Sequence, residues 1–267
     1  MEGKELRIEV NRTDQYNLYP LGDIHLGSSH CSESAIERKV AAIKSERNAL
    51  WIGMGDYMEC ILPSDKRFDI GGLAKWVVKD NITESQRERT VKLLKPIANK
   101  CIGLLTGNHE ETLHMRGEGD VTRNLCKDLN VDYLSYAAMV RLIFNRSGSQ
   151  HSFLVHAWHG AGAAQSEGGR LMRLMRLVNE VQADIYLMGH LHAITTHTPE
   201  RLTFGRRVEH KRLVAATTGS WMTTYTQPKS GEHMNSGYGE RAGYKPSSIG
   251  CPVVHIWPSH GTFTVEA

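Results

Sequence analysis

Residues 16–25 read Tyr-Asn-Leu-Tyr-Pro-Leu-Gly-Asp-Ile-His. A short run rich in β-formers meets a glycine, and a carboxylate and an imidazole follow within three positions. The arrangement recurs along the chain: 49–54 leads into Gly55-Asp56, 101–106 into Gly107-Asn108-His109-Glu110, 151–157 into His159-Gly160, and 184–188 into Gly189-His190-Leu191-His192. Each run has the length of a buried strand closed by a turn residue, and each turn carries a side chain able to hold a metal ion. Any one of these turns alone could be a surface loop with a chance histidine. All five in this order, each at a strand end, point to a shared site.

Between the runs, Ile36, Val40 and Ile43 mark a helix over 34–48, and Val91, Leu94 and Ile97 one over 84–98 that Pro96 should kink or end. Val121, Leu125 and Leu129 mark a third, and Leu171, Leu174, Met175, Val178 and Val181 a fourth. Strands alternating with helices predict β-α-β units around a buried sheet. In such sheets the loops beyond the carboxyl ends of the strands meet in one crevice, so ligands far apart in sequence arrive together. Past residue 190 the pattern becomes alternating, with strands expected at about 194–204, 207–218, 252–257 and 262–266 and turns at Phe204-Gly205-Arg206 and Ser259-His260-Gly261. The polar interval 223–250 interrupts it and is expected to be a long, substrate-contacting loop. No Pro/Ser-rich linker divides two cores, so residues 1–267 are read as one domain.

Composition narrows the classes. With 267 residues, 40% hydrophobic and 23% charged, the chain is an ordinary globular protein and not a disordered one. A formal charge of +3 makes no case by itself for a polyanion binder. The five cysteines are odd in number and form no Cys-x-x-Cys pair, which argues against a disulfide framework and a thiolate zinc site. No apolar run approaches the roughly 20 residues of a membrane span, and the opening residues lack a basic-then-apolar leader, so a cytoplasmic protein is expected. Histidine stands out, with 14 copies.

The ordered set Asp-x-His, Gly-Asp, Gly-Asn-His-Glu, His-Gly and Gly-His-x-His, spanning about 21–192, resembles the calcineurin-like metallophosphoesterase superfamily. The resemblance implies a four-layer α/β/β/α sandwich with two central mixed sheets. It also implies that Asp23, His25 and His192 hold one metal, that Asn108, His159 and His190 hold the other, and that Asp56 bridges them. His109 and Asn108 would contact the scissile phosphate, with His109 as the catalytic residue at the leaving group. Gly243–Gly250 and Trp158-His159-Gly160 resemble compact phage or prophage members, which would place the protein in a host cytoplasm.

Oxygen and nitrogen donors without thiolate suit first-row divalent ions such as manganese, iron, cobalt, nickel or zinc and do not choose among them; manganese is taken as the first expectation. Two such ions with two carboxylates and a bridging hydroxide leave a pocket of about one net positive charge, suited to a phosphate ester attacked in line. Hydrolysis of phosphodiesters (nucleic acid, nucleotide or small diester) is the leading expectation. Phosphomonoesterase or protein phosphatase activity is the alternative, followed by a non-catalytic interaction module and a single-metal hydrolase.

Several positions stay open. His156 competes with His159, which is favoured because it precedes a glycine at a strand end. Glu59 has no assigned role, and Glu110 is expected either to orient His109 or to lie on a surface turn. Residues 57–83 and 111–120 and the interval after Ser220 are expected loops around the site, with His233, Tyr238 and Arg241 as tentative substrate contacts. His30 is expected on the surface or in the core. Arg170, Arg173 and Arg176 are read as a solvated helix face, and Arg201, Arg206, Arg207, Lys211 and Arg212 as an ordinary charged hairpin that could otherwise track a phosphate backbone.

Overall fold

In the computed structural model, which describes residues 1–225, 238–241, 243–246 and 248–267, the opening stretch becomes a strand because its apolar residues find partners on both faces. The elements run β1 (Glu2–Glu9), β2 (Tyr16–Leu21), α1 (Glu33–Ser45), β3 (Ala49–Gly53), α2 (Ile82–Leu94), β4 (Cys101–Leu104), α3 (Asn108–Met115), α4 (Val121–Leu129), β5 (Ala137–Arg146), β6 (Ser149–Trp158), α5 (Glu167–Glu180) and β7 (Ile185–Met188). There follow β8 (Ile194–His197), β9 (Glu200–Phe204), β10 (Val208–Arg212), β11 (Val214–Thr218), α6 (Tyr238–Arg241), β12 (Val253–Trp257) and β13 (Thr262–Glu266). One sheet has the order β13-β12-β2-β3-β4, the other β1-β5-β6-β7-β11-β8, and β9 pairs with β10 as a separate ribbon.

Both large sheets are mixed: β2, β3 and β4 run parallel beside antiparallel β12, and β6, β7 and β11 run parallel beside antiparallel β5 and β8. Leu18, Ile52, Met54 and Ile102 from the first sheet meet Val140, Leu142, Val155 and Leu187 from the second in one buried cluster. On the outer face of the first sheet, Tyr19, Leu21 and Trp51 pack against Ile36, Val40 and Ile43 of α1, Leu94 of α2 and Leu125 of α4. Beyond the second sheet, Tyr186, Met188 and Ala215 pack against Leu174, Leu177 and Val178 of α5. The result is the four-layered α/β/β/α sandwich with two central mixed sheets. Burying each such side chain contributes roughly 1.5–3 kcal/mol, which is why helices with only one apolar stripe are held in place.

The expected helices form, and α2 ends at Leu94 with a 3-10 turn over Lys95–Lys100, because Pro96 supplies no backbone donor to continue it. Three expectations need correction. The segment 194–204 breaks at Pro199 and 207–218 breaks at Leu213, whose amide bonds the Pro199 carbonyl at 2.8 Å. Each segment therefore leaves one sheet for the ribbon at the same level. Residues 111–115 belong to α3 and are not loop. Strands β1 and β5 are additions, and β5 turns into β6 through Ser147-Gly148, both at positive φ, as a two-residue hairpin requires. Of the interval 223–250, residues 226–237, 242 and 247 lie outside the described residues, His233 among them. Among the described residues no helix is long and apolar enough to cross a membrane.

Candidate metal centre

The carboxyl ends of β2, β3 and β4 in one sheet and of β6 and β7 in the other open toward the same point. Their loops bring all seven expected donors together. Asp23, His25, Asp56 and His192 offer ligand atoms within 4.8 Å of one another, as do Asp56, His159 and His190. Asn108, the first residue of α3, places Oδ1 3.0 Å from His159 Nε2. Asp56 is common to both groups, with Oδ2 3.8 Å from His25 Nε2 and 3.5 Å from His159 Nε2.

The loops are wound tightly. Asp23, His25, Asp56, His190 and His192 all have φ between 48° and 70°, the left-handed region that costs a residue with a Cβ of order 1–2 kcal/mol. Hydrogen bonds hold them there: the His190 amide donates to both Asp23 oxygens at 3.1 and 3.0 Å, and the His109 amide donates to Asp56 Oδ1 at 2.9 Å. At Gly107 a Cβ would lie 2.1 Å from Asp56 Oδ1, so glycine there is what lets the β4 loop close over that carboxylate.

A second ring of contacts orients the imidazoles. Glu59 places Oε2 3.0 Å from His25 Nδ1, while its backbone carbonyl accepts from His109 Nδ1 at 2.5 Å. Met54 O accepts from His159 Nδ1 at 2.7 Å. In each case Nδ1 is engaged, and the Nε2 atoms of His25 and His159 are turned inward toward Asp56. His25 Nε2 and His192 Nε2 face each other at 3.0 Å, close to the roughly 3.3 Å that separates two nitrogens each 2.0–2.1 Å from one tetrahedral ion.

The charges are out of balance without a cation. Asp23 and Asp56 are fully buried, and no lysine or arginine bonds either among the described residues. Burial would raise the Asp56 pKa, but the charges of His159, His109 and His25 hold it well below the ordinary carboxylate value. Burial works against a charged His159, yet Asp56 outweighs it and brings that imidazole up to about 9. His109 is raised in the same way against its burial, by Asp56 and Glu59. Burial lowers His25, with Glu59 opposing, and burial and the neighbouring His159 lower His190. Protons on imidazoles thus compensate the two carboxylates, a role divalent ions fill better. Nitrogen and oxygen donors without thiolate fit first-row ions.

Several side chains behave differently from their expected roles. Glu110 neither orients His109 nor lies on a surface turn. It is buried, accepts the amides of Asp56, Tyr57, Met58 and Gly107 at 2.7–3.2 Å, and is pushed up to about 7 by burial and by the Asp56 charge. It therefore braces the β3 and β4 loops against each other. His156 lies outside the cluster, buried in β6 against Tyr186. His30 and Arg170, read as incidental, both line the cleft beside the cluster, as does Arg241. Arg173 donates to the carbonyls of Ala161 and Ala163 at 2.8 and 3.1 Å, fastening the loop before α5. Tyr238 opens α6. The β9–β10 ribbon does not line the cleft, and its Arg201 and Lys211 are tied to Val178 O and Asp184.

The family model described as calcineurin-like phosphoesterase matches residues 18–193, the interval that holds every donor named above. Two solved structures align with most of the chain. One is a conserved uncharacterized protein from Streptococcus pneumoniae TIGR4, described as a predicted phosphoesterase, at 14% identity, covering 91% of this chain and 84% of that one with a TM-score of 0.32. The other is wild-type Vps29 from Entamoeba histolytica complexed with zinc, at 11% identity, covering 94% and 97% with a TM-score of 0.33. No curated protein matches the chain significantly.

Proposed function

Since the chain belongs to the calcineurin-like phosphoesterase family, we propose that it is a phosphodiesterase working with two divalent cations, manganese first among the first-row ions. Asp23, His25 and His192 would hold one ion and Asn108, His159 and His190 the other, with Asp56 contributing to both. The observation that carries this reading is the sharing of Asp56 between two groups of donors. Because one sheet supplies part of the donor set and the other sheet the rest, the whole chain works as one domain in this reading.

When bound, the ions supply Lewis acidity and a nucleophile at neutral pH. The rest falls to the chain. His109, tied through Nδ1 to the Glu59 carbonyl, keeps Nε2 for the substrate, and in the metal-free chain Asp56 and Glu59 raise its pKa against its burial. It can therefore donate a proton to the departing oxygen or stabilise charge on the phosphoryl group. Asn108, beside it at the start of α3, offers an amide to a phosphoryl oxygen. The preference for diesters follows from room: the cleft widens beyond the donors to about 1250 Å³, so both ester groups can be accommodated.

The test is hydrolysis of bis-p-nitrophenyl phosphate against p-nitrophenyl phosphate by chelator-stripped protein reloaded with manganese, iron, cobalt, nickel or zinc. Faster diester turnover with about two ions per chain is expected. A monoester preference with every metal would replace the diester reading, and full activity at one ion per chain would remove the second site.

A further inference from the structure

The cleft beside the donors exceeds what one small ester needs. At about 1250 Å³ it is larger than the roughly 300–1,000 Å³ that encloses a drug-sized ligand. Away from the donors and Glu59, the described residues of its walls include Lys66, Arg67, Arg170, Arg241 and Lys245 against Asp69 and Glu167, a surplus of three positive charges among them. These cations differ in how far they are already satisfied. Arg67 is bonded to Asp65, and Arg241 stands 3.9 Å from Asp69. Lys66 and Lys245 form no ion pair among the described residues. Arg170 donates Nε to Thr195 Oγ1 and Nη1 to Gln165 O, both at 3.1 Å. Both acceptors are neutral, so its guanidinium is held in place and forms no ion pair among the described residues, ready for an anion.

Between the cations the cleft is apolar and partly aromatic, with Phe68, Leu73, Ile194, Met222 and Tyr244. A single phosphodiester brings only one negative charge to the cleft. Further cations call for further anionic groups on the same molecule, and the apolar wall calls for flat faces between those groups. A strand of nucleic acid supplies both, a phosphate at every residue and a base whose face stacks on rings and apolar side chains. We infer that the cleft binds single-stranded nucleic acid, with Lys66, Arg170 and Lys245 holding phosphates that flank the one over the donor cluster. Cleavage of that strand rests on the phosphodiesterase reading above; its binding does not.

Binding is therefore measured without metal. Chelator-treated full-length protein is titrated into a fluorescein-labelled thymidine oligomer of about 12 nucleotides, and anisotropy is followed at several potassium chloride concentrations. The single strand is expected to bind more tightly than a duplex of equal length and to weaken as salt rises. Lys66→Ala, Arg170→Ala and Lys245→Ala should each lower affinity several-fold and reduce the salt slope by about 0.7, while Lys44→Ala on α1 leaves binding unchanged. No binding at low salt, equal affinity for duplex, an equal loss in Lys44→Ala, or equally effective competition by a doubly phosphorylated peptide would each overturn the inference. The parallel assay of wild-type protein on bis-p-nitrophenyl phosphate separates the two ideas. Diester turnover without oligomer binding leaves the phosphodiesterase reading standing alone, and oligomer binding without diester turnover supports the cleft assignment alone.

Discussion

The Glu59 carboxylate lies 3.0 Å from His25 Nδ1, and the backbone carbonyl of the same residue takes the Nδ1 proton of His109. One residue thus fixes the orientation of two imidazoles with different proposed tasks. Carboxylates behind a ligating histidine are worth about 10–100-fold in metal affinity. Glu59→Ala should weaken metal binding by that factor in calorimetric titration, and Glu59→Gln, which keeps an acceptor, should lose less. Equal affinity in all three proteins would show that His25 needs no support.

His109 is proposed to act on the substrate and not to hold an ion. His109→Ala should therefore retain its metal content by elemental analysis while bis-p-nitrophenyl phosphate turnover falls about 10²–10⁴-fold. Loss of metal in step with turnover would move His109 into the ligand set.

Metal uptake should depend on pH. His159, brought up to about 9 by Asp56 against its burial, is protonated at neutral pH in the metal-free chain. An ion bound there must displace that proton. Affinity should rise as pH increases from about 7 toward 9, with proton release visible as buffer-dependent heat in calorimetry. A flat profile over that range would exclude proton competition at His159.

Away from the centre, Asp65 accepts from the backbone amide, Nε and Nη2 of Arg67 and from Nη2 of Arg116. The Arg67 hydrogen bonds hold its carboxyl well below the ordinary value, against burial. Since the folded pKa is depressed, the stabilisation is present above the unfolded value of about 3.9 and fades as pH falls toward the folded one. Asp65→Asn should cost about 1–2 kcal/mol at pH 7 by urea denaturation, and the gap from wild type should narrow as pH is lowered below about 4. A gap independent of pH would mean that the ion pairs contribute nothing.

The donors were legible in the sequence because each sits within four residues of the end of a short apolar run, and topology then does the gathering. Leu18, Ile52 and Leu187 could be read as buried strand residues from their neighbours alone. What could not be read depends on contacts across the fold. Nothing in Glu59 or Glu110 reveals that one faces an imidazole and the other a fan of backbone amides. The left-handed turns at Asp23, His25, Asp56, His190 and His192 fall on residue types that rarely announce them. Segment 194–204 looked continuous because Pro199 is tolerated at a strand border as well as within an edge strand. Arg170 shares its helical spacing with Arg173 and Arg176, and only the neighbouring loops decide that it alone of the three lines the cleft.

Because the donors after β2, β3 and β4 ride on one sheet and those after β6 and β7 on the other, the cluster straddles the seam between two slabs. Their spacing is therefore set by the inter-sheet core as much as by the loops. A void cut deep in that seam, at Leu187 or Val140, would let the slabs resettle and throw the grip on cations out of calibration while every donor side chain stayed intact.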